Sequence, residues 1–102
     1  MKLCASDPTI KKTIDQALQQ AVAHLRARRE VYFLNDQPGI VTTHQLASLI
    51  EQLASDLSSR DKLTARRLWG IFGVAGAWDD AQGDADLGQH VFELLDAAYR
   101  PA

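Results

Sequence analysis

Residues 7 to 25 read DPTIKKTIDQALQQAVAHL. Ile10, Ile14, Leu18, Val22 and Leu25 recur at steps of four, four, four and three, and Ala17 and Ala21 fill the same stripe. Apolar residues at that spacing line one face of a helix with 3.6 residues per turn. Asp7-Pro8 supplies the start: Asp suits an N-cap, and proline is tolerated at the first helical position because its missing N–H would be unpaired there. Tyr32 lies one heptad beyond Leu25, which extends the first helix to about residue 33. The run EVYFL at 30–34 is also strand-like, and NDQPG at 35–39 is a turn signal, so a short hairpin is the competing reading of residues 31–41. Such a hairpin has too few residues to build a sheet.

Three more helices follow by the same logic. Thr42 and Gln45 have capping-box spacing, and Leu46, Leu49, Ile50, Leu53 and Leu57 form the stripe of a helix over about 43–57. A third helix spans about 60–72, with Leu68, Ile71 and Phe72 facing inward and Gly73 as a left-handed stop. Gly70, Gly73 and Gly76 are three apart, which is not a dinucleotide-binding fingerprint: no strand precedes them and the first gap is too long. The last helix covers about 87–99. Asp86 and Gln89 sit at its start, Leu87, Val91, Leu94, Leu95 and Ala98 form its stripe, and Pro101 lies past its end. Four amphipathic helices with short links predict an all-α, single-domain four-helix bundle over residues 1–102.

Charge is unevenly spread. Residues 1–76 hold ten Lys/Arg and seven Asp/Glu, whereas residues 77–102 hold one Arg and six acids, within a net charge of −2. Such asymmetry gives a dipolar surface that steers partners. The lone Cys4 allows no internal disulfide, which fits a reducing compartment, and no apolar run is long enough for a signal peptide or a membrane span. A cytoplasmic protein without membrane attachment is expected.

The acidic stretch AWDDAQGDADLG at 77–88 tests several chemistries. It is not an EF-hand: with Gly83 at the sixth position the first is Trp78, and with Gly88 there the first, third and fifth are Gly83, Ala85 and Leu87. Asp79 and Asp80 are adjacent and lack any accompanying nucleophile motif or basic clamp, so a catalytic pair is disfavoured and no enzyme is expected. His24, His44 and His90 are isolated, which argues against zinc; no metal or cofactor is expected. Asp84 or Asp86 suits a helix cap. Trp78 suits the core, and becomes an apolar anchor only if exposed, as do Phe92 and Tyr99. Asp86, Glu93 and Asp96 share a helical face, and with Asp79, Asp80 and Asp84 they make one acidic patch. Such a patch repels nucleic acid and attracts a basic protein.

The rival reading is a helix-turn-helix DNA-binding regulator. The helices at 43–57 and 61–72 have the right order, and Arg60, Lys62, Arg66 and Arg67 would meet phosphates. The negative total charge weighs against it.

The segment LWGIFGVAGAWDDAQGDADLGQHVFELLD at 68–96, an aromatic helix, an acidic loop and an acidic closing helix, resembles bacterial toxin immunity proteins of the nuclease-bacteriocin and contact-dependent growth inhibition types. It covers under a third of the chain. The paired tyrosines of the colicin nuclease group are absent, since Tyr32 and Tyr99 stand alone, so no contact residue is carried over. The resemblance implies a stoichiometric inhibitor that covers a basic, nucleic-acid-cleaving toxin domain. Asp79, Asp80, Asp84, Glu93 and Asp96, with Trp78, are the candidate partner-binding residues.

Overall fold

The computed structural model describes residues 8–34, 40–57, 62–73 and 76–99. The protein is all-α. The described residues form four helices of eleven residues or more, α1 (Pro8–Ala27), α2 (Thr43–Asp56), α3 (Lys62–Phe72) and α5 (Ala85–Tyr99), with a one-turn helix, α4 (Ala77–Asp80), between α3 and α5. Helix α1 packs most extensively on α2 and also on α5, while α3 packs on α5.

The helical stripes become the core. Ile14, Ala17, Leu18, Ala21, Val22 and Leu25 of α1 are buried, and so are Leu46, Ala47, Ile50 and Leu53 of α2 with Leu57 just beyond it. Ala65, Leu68, Ile71 and Phe72 of α3 and Val91, Leu95 and Tyr99 of α5 join it, with Ile40, Ala77, Trp78 and Ala81. Burial of a large aliphatic side chain contributes roughly 1.5–3 kcal/mol, so these stripes dominate the balance against chain entropy. Leu63, at the start of α3, stands apart from its buried stripe and is 72% exposed. Asp7, the turn at 35–39 and Cys4 lie outside the described residues.

Helix α1 ends at Ala27, not near residue 33. The chain then extends. Phe33 N–H donates to the Val41 carbonyl and Thr43 N–H to the Val31 carbonyl, both at 3.0 Å, forming an isolated antiparallel bridge between Tyr32 and Thr42. Tyr32 therefore leaves the α1 stripe and is 79% exposed. The physical reason is competition: β-branched and aromatic residues favour extended backbone, and the start of α2 offers partners for it. Val31 N–H donates to Thr43 Oγ1 at 3.1 Å, and Thr42 Oγ1 donates to Glu30 Oε2 at 2.7 Å.

The expected capping box is formed. Gln45 N–H donates to Thr42 Oγ1 at 3.2 Å, and Gln45 Oε1 accepts from Thr42 N–H at 3.1 Å. Two N–H groups that no helical carbonyl can reach are thereby satisfied. Thr42 thus ties the first turn of α2 to the segment after α1. Thr42→Ala removes the cap acceptor and the bond to Glu30 together, and is expected to lower unfolding free energy by about 1–2 kcal/mol in a urea titration.

Candidate functional site

The acidic stretch is not a loose loop. Its first six residues form α4 and a tight C-terminal turn. Gly83 N–H donates to the Trp78 carbonyl at 2.9 Å and Gln82 N–H to the Asp79 carbonyl at 3.0 Å. This crossed pair is a Schellman stop, which requires a left-handed residue just past the helix. Here that residue is Gln82, with φ of 58°, in a place where glycine is usual. The expected left-handed stop at Gly73 is not formed. Gly73 closes α3 through a 2.7 Å bond to the Trp69 carbonyl, with no positive φ.

Gly83 is required for a different reason. Trp78 is 1% exposed, and its indole lies on Gly83 and Gly88. A Cβ at Gly88 would come within 2.5 Å of the indole nitrogen, and one at Gly83 would overlap the same ring. The indole N–H donates to the Asp84 carbonyl at 2.9 Å. Phe72 and His24 flank the ring, with centroids 5.1 and 5.6 Å away. Trp78 is thus a core residue, and burial removes it as a surface anchor. Tyr99, 4% exposed, is removed likewise, and Phe92 is half-buried.

Asp84 organises the corner. Its carboxylate accepts from Leu87 N–H at 2.7 Å, which makes it the N-cap of α5. The cap is therefore Asp84 and not Asp86, and α5 begins at Ala85, two residues earlier than the sequence suggests. A carboxylate there satisfies an unpaired N–H and meets the positive end of the helix. Asp84 N–H donates to His24 Nε2 at 3.2 Å. One turn along, Arg28 donates to the Gln82 carbonyl at 2.8 Å and more weakly to the Ala81 carbonyl at 3.4 Å. A cation on the last carbonyls of a helix is favourable. Two side chains from the end of α1 thus clamp residues 81–84.

The remaining candidates fall on the outer side. Asp79, Asp80, Asp84, Asp86 and Glu93 are exposed, and Asp96 is half-buried. Asp86 and Glu93, seven residues apart, point within about 20° of each other, opposite the buried Gly88, Val91 and Leu95. Asp96 lies on the flank between that direction and the core. Glu93 accepts from Gln89 at 3.0 Å. Among the described residues, Asp80, Asp84, Asp86 and Glu93 form no ion pair. Arg28 is the arginine that folds over this stretch, and it bonds backbone carbonyls rather than these carboxylates.

Other features carry less chemistry. Among the described residues no three His, Cys, Asp or Glu side chains cluster as a metal site, and no helix is long and apolar enough to cross a membrane. Of the basic set weighed for DNA, Arg66 and Arg67 are exposed; Arg60 and the Lys62 side chain lie outside the described residues. A crevice of about 670 Å³ between α1 and α2 is lined by Leu18 and Val22 and flanked by two ion pairs. Lys11 meets Asp15 at 3.2 Å and Arg26 meets Glu51 at 2.9 Å. Hydrogen bonds from Arg26, and then its charge, hold the Glu51 carboxyl below its ordinary range and raise the guanidinium. The stabilisation from Glu51 is present at neutral pH and fades as pH falls through that lowered value; both groups are solvated, so it is small.

No protein-family model matches the chain, and no curated protein or solved structure shows significant similarity to it.

Two opposite substitutions test the corner. Gly83→Ala forces a methyl into the indole and is expected to destabilise by about 1–3 kcal/mol. Gln82→Gly relieves the left-handed backbone and is expected to stabilise by about 0.5–1 kcal/mol. Thermal melts followed by tryptophan fluorescence check both.

Proposed function

We propose that this chain is a non-enzymatic protein-binding module, of the immunity type, that neutralises a basic toxin domain through its acidic edge. The reading rests on one observation: Asp80, Asp86 and Glu93 are exposed and form no ion pair among the described residues, while the nearby arginine spends its donors on carbonyls. Their charge therefore projects into solvent. A nuclease domain carries a basic surface to hold phosphates, and a field of opposite sign accelerates its capture above the neutral rate of about 10⁵–10⁶ M⁻¹s⁻¹.

The geometry sorts the candidates. Asp84 is committed to the α5 cap, so its carboxylate contributes charge but has little freedom to reorient. Asp80, Asp86 and Glu93 carry no such duty and are the principal contact residues. Asp79 and Asp96 flank these three. A rigid corner suits this role, because a backbone already held in place loses little freedom on binding.

Co-purification from the native host followed by mass spectrometry identifies the partner. The triple charge reversal Asp80→Lys, Asp86→Lys and Glu93→Lys should then slow association at least tenfold at low salt and flatten its salt dependence, with the dissociation rate changed less. An unchanged association rate would refute the acidic edge as the docking surface.

A further inference from the structure

The extended segment after α1 has no role in the acidic edge, yet it is the most apolar exposed part of the described molecule. Leu34 is 94% exposed, Tyr32 79%, Val41 49% and Val31 48%. Tyr32, Phe33, Leu34 and Val41 line a hollow of about 430 Å³. Three of the four apolar residues 31–34 stand in the open, with Phe33 half-buried between them, and such exposure is costly unless something covers it.

The backbone states what kind of surface fits. In an antiparallel pair, the N–H and C=O of a residue point to the same side, and successive residues alternate. Phe33 and Val31 point inward and bond Val41 and Thr43. Tyr32 therefore points outward, as Glu30 and Leu34 do by alternation. Among the described residues, neither backbone group of Tyr32 meets a partner. An open edge of this kind is completed by another extended strand.

We propose that residues 30–34 pair antiparallel with the same residues of a second copy, about a two-fold axis through Tyr32. The edge is self-complementary in that register. Tyr32 N–H meets the partner's Tyr32 carbonyl and the reverse, Val31 stands opposite the partner's Phe33, and Leu34 opposite the partner's Glu30. No like charges face each other, which a same-chain pairing must avoid. Glu30 is also held by Thr42 Oγ1 at 2.7 Å and lies 3.9 Å from His44 Nδ1, so its charge is partly satisfied within its own copy. The exposed apolar residues offer on the order of 400–500 Å² per copy. The total falls below the roughly 1,200–2,000 Å² of stable interfaces. The dimer is therefore weak and reversible, dissociating at about 10–500 µM.

Sedimentation velocity of the whole chain from 10 µM to 1 mM tests this. The wild type should shift reversibly from monomer towards dimer over that range. Tyr32→Pro deletes an outward donor but leaves the three inward bonds of Val31 and Phe33, and should hold the chain monomeric. The register is read by two variants at Leu34, whose exposure makes either harmless to folding. Leu34→Glu sets two glutamates opposite each other at both ends of the pairing, and Leu34→Lys sets a lysine opposite each Glu30. The glutamate variant should dimerise at least fivefold more weakly than the lysine variant. A wild type that stays monomeric at 1 mM would overturn the proposal and leave the edge to a different chain. So would a dimer indifferent to Tyr32→Pro, or equal weakening by the two Leu34 variants.

Discussion

The seat of Trp78 governs the carboxyl-terminal half of the molecule. An indole needs a flat, wide contact and one hydrogen-bond acceptor when buried. Gly83 and Gly88 supply the flat contact because they lack a Cβ, and the Asp84 carbonyl accepts the indole N–H. These three residues span the end of α4 and the start of α5. Seating the ring therefore fixes the angle between the two helices. The same turn sets Asp84 over the first N–H groups of α5 and within reach of His24. Packing, capping and the link to α1 share a few atoms, so a change at one is felt by all.

That corner also explains one of its aspartates. The start of α5 rewards a short polar side chain at its cap, and Asp84 fills that place. Part of the acidic character is thus architectural. Asp84 shows it most plainly, since its carboxylate, N–H and carbonyl are all engaged. Asp80, Asp86 and Glu93 have no comparable structural duty, and it is this surplus that gives the edge its charge. Arg28 tempers the field without cancelling it, because its guanidinium is held against the Gln82 carbonyl.

Just past the same end of α1 lies a conflict between local and tertiary preference. The heptad that carries Leu25 to Tyr32 is helical in period, while VYFL is extended in propensity. The start of α2 decides between them: Thr43 and Val41 offer backbone partners, and Thr42 gives Glu30 a hydroxyl. The outcome leaves α1 at twenty residues and puts an apolar edge in solvent. A helix to residue 33 would have hidden Tyr32 and left the first turn of α2 without these contacts.

The one-dimensional pattern of residues determined the class of fold and most of its core. Stripes such as Ile14, Leu18, Val22 and Leu25 bury because the helical period sets their direction whatever lies beside them, and the Thr42–Gln45 cap formed because its two partners are three residues apart. The acidic composition of residues 77–96 was visible for the same reason. Only the tertiary structure decided which aspartate caps α5, that Gln82 rather than a glycine turns left-handed, that Gly83 and Gly88 serve an indole, and that His24 and Arg28 grip a segment more than fifty residues away. Those outcomes depend on distances between residues remote in sequence, and no periodicity encodes such distances.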